Sequence, residues 1–227
     1  MGKKKSVKKQ AKSSKLITNV CIVLDSSGSM AAMQREAVDG YNEQVRELQK
    51  PENVKLGYRV SLVTFNTVVE DPKIWDKPIS EIKELTMNDY VPNGMTALLD
   101  AIGSTISRME KLNSNKTPPK GTNVANLLII ITDGQENNSK EHKIEVVRPL
   151  IKKLQKGNWT FTFMGANMDV MAVACKAYGI SAGNIAAFVA TPQGVKVASL
   201  QTMGALRAYS SSRAVGGQSV QDFYGKK

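Results

Sequence analysis

The 227 residues carry 31 Lys and Arg against 20 Asp and Glu, a net charge of +11, with one histidine and two cysteines. A single histidine excludes a His-cluster zinc site and a Ser-His-Asp triad, and no apolar run reaches the length of a membrane-crossing helix. The length suits one domain plus tails, and an N-terminus without an apolar signal-peptide core gives the expectation of a cytoplasmic protein. The charge is uneven. Lys3, Lys4, Lys5, Lys8, Lys9, Lys12 and Lys15 fall in a stretch without acids, so residues 1–15 read as a basic disordered tail. Weak contact with nucleic acid or an anionic surface is the alternative use of that tail.

The predicted elements alternate between strand and helix. Ile17–Leu24 reads as the first strand, and its run Val20–Leu24 is β-branched and apolar on both faces, as expected of a strand buried in a parallel sheet. Met33, Ala37, Tyr41, Val45 and Leu48 recur at helical spacing, and Pro51 marks the end of that helix. Tyr58–Phe65 reads as the second strand, and Thr67–Glu70, before Asp71 and Pro72, as a short edge strand. Leu98, Leu99, Ile102, Ile106, Met109 and Leu112 form the stripe of a long helix starting near Thr96. After a polar loop over 113–121, Val124–Thr132 is a strand; a helix follows through Ile144, Val147, Ile151 and Leu154, which Pro149 either kinks or starts. Thr160–Met164 is a strand, Asp169 caps a helix ending before Gly179, and Ile185–Ala190 is the last strand. Thr191 and Pro192 open the final helix, and 214–227 reads as a flexible tail. The fold class is α/β: a doubly wound, mostly parallel sheet with one short antiparallel edge strand and helices on both faces. With strand order 3-2-1-4-5-6, the first and fourth strands meet at the switch point where such sheets place their sites.

Chemistry concentrates where those two strands end. Asp25, Ser27 and Ser29 alternate after the first strand, with Gly28 allowing a sharp turn. Such a cluster serves either as an ordinary turn or as an oxygen cradle for a small hard cation. Two further segments favour the cradle: Gly94–Leu98, with the Thr96 hydroxyl at a loop-to-helix junction, and Leu127–Gly134, a buried strand ending in Asp133.

Asp25, Ser27, Ser29, Thr96 and Asp133, in that order, resemble the metal-ion-dependent adhesion site of the von Willebrand factor A (VWA) family. The resemblance spans roughly Ile17 to Tyr209, and Met95 stands where members often carry a smaller residue. Segments 163–167 and 190–195 resemble stand-alone VWA proteins of bacteria and phages. The resemblance implies the Rossmann-like VWA fold over residues 16–213 and Mg²⁺, or alternatively Mn²⁺ or Ca²⁺, as cofactor. It implies that the serines bind the ion directly, with one or both acids acting through water. An acidic side chain of a partner protein would complete the ion's shell. Bacterial relatives often act as adaptors beside MoxR-type ATPases.

The expected function is therefore non-enzymatic, metal-dependent protein binding. Met30, Met95, Asn66 and Gln135 are candidates for a rim around the ion. One alternative is a Mg²⁺-dependent, phosphate-directed hydrolase, with Glu136 as the acid nearest to hand. The usual second Asp of aspartate-nucleophile phosphatases is replaced here by Ser27, and no Walker, GxGxxG or GxSxG motif occurs. Another alternative is a structural or virion component whose tail touches nucleic acid. Cys21 and Cys175 are expected as free thiols.

Overall fold

Strand-by-strand alternation builds a three-layer molecule, described in a computed structural model over residues 15–116, 118–166, 169 and 171–225. In β1 (Leu16–Asp25) and β4 (Asn123–Thr132), successive side chains point to opposite faces. Val20, Ile22 and Leu24, with Leu127 and Ile129, pack against α1 (Gln34–Leu48) and α4 (Pro192–Ala214). Cys21, Val23, Leu128 and Ile130 pack on the other face against α2 (Leu98–Asn115) and α3 (Ile144–Leu154). Burial on both faces explains why these strands read as continuous apolar runs.

The remaining strands are β2 (Tyr58–Phe65), β3 (Ile74–Pro78), β5 (Trp159–Gly165) and β6 (Ile185–Ala187). They form a six-stranded sheet ordered β3-β2-β1-β4-β5-β6, parallel except for the β2–β3 pair. The expected switch point between β1 and β4 is thus present.

Several expectations need correction. The antiparallel edge strand is Ile74–Pro78, whereas Thr67–Glu70 contributes a single bridge, Phe65 to Val69. The loop at 66–69 is instead held to neighbouring loops by Asn66 and Thr67. Pro149 lies inside α3 and does not start it, at the loss of one backbone donor. The last strand stops at Ala187, three residues early. The helix expected before Gly179 is a π-type segment, Met171–Ala177, with Asp169 accepting from the Ala172 N–H at 3.0 Å.

The C-terminal stretch is not a loose tail over its described part, because it returns across the sheet edge. Val220 N–H donates to Thr160 Oγ1 at 2.9 Å, and the Asn184 side chain donates to Val220 O and accepts from Phe223 N–H, both at 2.8 Å. Phe223 is buried against Tyr209. Arg213, at 0 % exposure, anchors the start of this return with Nε on Thr18 Oγ1 (3.0 Å), Nη1 on Asn123 Oδ1 (2.6 Å) and Nη2 on Ile17 O (3.0 Å). Gly217 O is a further acceptor. Of the lysine-rich stretch, Lys3 to Lys12 lie outside the described residues, as does Asn167. Cys21 is buried and Cys175 half-buried, both free. Among the described residues no helix is long and apolar enough to cross a membrane.

Candidate metal centre

Parallel register decides which side chains meet beyond the sheet. Leu24 lies opposite Ile131, so the next residues, Asp25 and Thr132, sit side by side. The Thr132 hydroxyl donates to Asp25 Oδ2 at 2.5 Å, and the Ser27 N–H donates to Asp25 Oδ1 at 2.7 Å. Past β1 the chain keeps its alternation for one more step. Ser26 turns away and donates to Phe65 O at 3.0 Å, while Ser27 and Ser29 face inward with hydroxyls 3.2 Å apart. Ser29 then donates to Asp133 Oδ1 at 2.7 Å. Four of the five expected residues are thus linked through space, and Tyr90 braces them by donating to the Asp25 carbonyl.

Thr96 reaches the same place through a loop held at both ends. Gly28 N–H donates to Gly94 O at 3.0 Å, and Asn93 N–H to Ser26 O at 2.8 Å. Gly94 has φ +73°, and a Cβ there would fall 2.3 Å from Thr67 Oγ1, so only glycine fits. Asn137 clamps Thr96 from the far side, its Oδ1 accepting the Thr96 N–H at 2.9 Å and its own N–H donating to Thr96 O at 3.1 Å. Gly134 shows how near the groups are. A Cβ on it would lie 3.1 Å from Thr96 Oγ1 and 3.8 Å from Asp25 Oδ2, filling the space between them.

The electrostatics fit a cation. Burial pushes the Asp25 carboxyl above its usual range, against the hydrogen bonds from Thr132 and Ser27, and the nearby Asp133 adds to the rise. Burial likewise pushes Asp133 up, with Ser29 opposing. Among the described residues, neither acid forms an ion pair. Asp76, by comparison, is paired with both Arg59 and Lys116. Buried carboxylates without a cation partner, beside three hydroxyls and a gap that a Cβ would fill, make an all-oxygen donor set suited to a hard divalent ion. No group of three or more His, Cys, Asp or Glu occurs among the described residues, so binding would depend on the hydroxyls.

The four rim candidates divide by exposure. Met95 is exposed at the surface, and so is Gln135. Met30 is not on the rim: the turn after Ser29 drives its side chain under the loop into the core, at 0 % exposure. Asn66 is also buried, its amide donating to Asn93 Oδ1 at 3.1 Å to tie two site loops together. Glu136 is half-buried and engaged. Its oxygens accept the N–H groups of Leu99 (2.7 Å), Asn138 (2.9 Å) and Ser139 (2.6 Å), fastening the Asp133 loop to the start of α2. The supporting residues Tyr90, Thr132 and Asn137 escape sequence reading. Thr132 adjoins Asp133 and could have been suspected, but Tyr90 carries no local signal.

The family model for the von Willebrand factor type A domain matches residues 19–202. The chain belongs to the VWA family. Domains of this family commonly mediate protein–protein interaction and metal-dependent adhesion. Among solved structures, proximal thread matrix protein 1 from the mussel byssus aligns with TM-score 0.58 and 16 % identity, covering 83 % of this chain and 45 % of that one. A second structure of the same mussel protein, with a zinc-occupied MIDAS motif, aligns with TM-score 0.51 and 16 % identity, covering 82 % and 46 %. A D319A mutant of the PilB minor pilin from Streptococcus sanguinis aligns with TM-score 0.55 and 10 % identity, covering 92 % and 65 %. At such identities the likeness concerns the fold, and this chain spans less than half the length of the mussel protein. No curated protein matches the chain.

Proposed function

We propose that this VWA domain is a non-enzymatic, divalent-metal-dependent protein-binding module. The observation that carries the reading is the through-space chain Asp25–Ser27–Ser29–Asp133, built from buried carboxylates with no ion pair among the described residues. Asp25, Ser27, Ser29, Thr96 and Asp133 would hold Mg²⁺, with Mn²⁺ or Ca²⁺ as alternatives, and the zinc-occupied site of the mussel protein supports a divalent ion. A bound cation supplies positive charge to which an acidic side chain of a partner protein is attracted. Thr132 and the Ser27 N–H hold the Asp25 carboxylate in one orientation, and Asn137 and Gly134 keep the Thr96 hydroxyl close without a side chain intervening. Glu136, spent on backbone N–H groups, is poorly placed to move a proton, which favours binding over hydrolysis. A MoxR-type ATPase or an assembly component is the kind of partner the family resemblance brings forward.

Calorimetric titration with Mg²⁺ and Mn²⁺ tests the reading. A single binding event is expected in the wild type and none in the Ser27→Ala/Ser29→Ala double variant. Unchanged binding in that variant would sink the site assignment. Metal-dependent phosphate hydrolysis that vanishes in Asp25→Asn would replace the binding module with an enzyme.

A further inference from the structure

The loops around the centre differ sharply from the rest of the chain in charge. Segments 26–34, 65–69, 90–97 and 133–139 contain no Lys, Arg or His, and their only acids are Asp133 and Glu136. Elsewhere basic residues predominate, since 22 % of the chain is charged and the net charge is +11. These segments form one surface. Ala97 N–H donates to Asn66 O at 2.7 Å, Met95 N–H to Thr67 Oγ1 at 3.0 Å, and Asn138 Nδ2 to Thr67 O at 2.6 Å. Glu136, half-buried, has its oxygens on the N–H groups of Leu99, Asn138 and Ser139, so these segments offer no basic side chain and no carboxylate free of such partners beyond Asp133.

Large apolar side chains stand on it instead. Met95 is 49 % exposed, Val68 61 % and Val91 60 %. Val68 adjoins Thr67, which touches the Met95 backbone, and Val91 O accepts from the Asn93 side chain beside Gly94. The basic residues nearest in sequence lie beyond the segments: Arg35 on α1, Lys140 after Ser139, and Lys73, whose Nζ is held by Asp89 O at 3.0 Å.

A carboxylate arriving here would therefore meet one positive charge, the ion, inside a neutral apolar collar. Within these segments a second acid would find no second cation, and a basic flank would face the ion and only Glu136, whose oxygens are already held by backbone N–H groups. Apolar flanks would bury Met95, Val68 and Val91, removing area that now contacts water. We propose that this centre recognises a protein segment bearing a single Asp or Glu flanked on both sides by large apolar side chains. The proposal rests on the metal-dependent reading above and adds the chemistry of the partner to it.

Two synthetic peptides test it by fluorescence anisotropy with the full chain and Mg²⁺. One carries an aspartate between leucine and valine, the other the same aspartate between lysine and serine. Mg²⁺ calorimetry on the wild type first checks the centre itself. The apolar peptide should bind about tenfold more tightly, only with Mg²⁺, and with about twofold or less change between about 50 and 300 mM salt. Met95→Ser and Val68→Ser should each shrink that preference. Equal binding of both peptides, preference for the lysine flank, or no binding of either while Mg²⁺ still binds overturns the collar and spares the metal site. Binding that persists in chelator overturns the metal-dependent reading itself.

Discussion

The two edges of the sheet treat buried charge in opposite ways. At the edge where β1 begins, Arg213 is fully buried yet surrounded by acceptors: Thr18 Oγ1, Asn123 Oδ1, and the carbonyls of Ile17, Asn123 and Gly217. Burial lowers its pKa, yet its donors are placed on fixed oxygens. At the other edge, Asp25 and Asp133 are also buried but accept from hydroxyls and, for Asp25, one backbone N–H, with no cation partner among the described residues, and burial raises their pKa values. One edge is finished as folded. The other leaves two buried acids without a cation partner among the described residues, which is the feature the proposed metal site rests on.

The largest effect expected from this contrast is at the finished edge. Arg213→Met should cost about 3–5 kcal/mol in urea denaturation, because it strands several acceptors away from water. A loss below about 1 kcal/mol would show that the acceptors find other partners, and the contrast between edges would weaken.

Asp100 gives a sharper comparison, because it lies just behind the site yet is fully satisfied. Burial opposes its ionisation, but the N–H groups of Lys140 (2.8 Å), His142 (2.6 Å) and Glu141 (2.9 Å) outweigh it and hold the carboxyl below its usual range. A carboxyl depressed in the folded state stabilises above its unfolded pKa, and that stabilisation disappears as pH falls through the folded value. Asp100→Ala should therefore cost about 1–3 kcal/mol at neutral pH, with the deficit shrinking below about pH 4. A deficit that is independent of pH would assign the role of Asp100 to packing.

A smaller effect is expected at Gly134. A methyl group there meets Thr96 Oγ1 at 3.1 Å, which the threonine can relieve only by shifting a few tenths of an ångström. Gly134→Ala should weaken Mg²⁺ binding about tenfold in calorimetry while leaving urea stability within about 1 kcal/mol of wild type.

The sequence made the centre of the molecule legible because one signal repeated at several levels. Apolar runs marked β1 and β4, and β2 spans Tyr58–Phe65 as expected. Thr191 caps α4, its side chain accepting the Gly194 N–H at 3.1 Å, as Thr-Pro predicts. The edge strand was misplaced for a local reason. Thr67, Val68 and Val69 favour strand geometry but are recruited into the site loops. The strand at 74–78 is disguised by Pro78 and by Asp76 at φ +50°, where the pairing with β2 is irregular. The C-terminal return was hidden because only a few scattered residues, Val220, Phe223 and Tyr224, carry its apolar packing, without periodicity. Of the candidate site, the oxygen-bearing residues at strand ends, Asp25, Ser27, Ser29 and Asp133, were legible as a cluster that the fold brings together. Met30 could not be placed, since the direction of a turn decides between rim and core.

The central claim, that two buried carboxylates at the carboxyl edge await a cation, is tested most directly by thermal unfolding in chelator and across a Mg²⁺ titration. The wild type should gain stability logarithmically with ion concentration, about 2.7 kcal/mol at one hundred times the dissociation constant. Asp25→Asn, which removes a buried unpaired charge, should match or exceed the wild type in chelator and gain little from Mg²⁺. A wild type whose melting is the same with and without Mg²⁺, Mn²⁺ or Ca²⁺ would contradict the account.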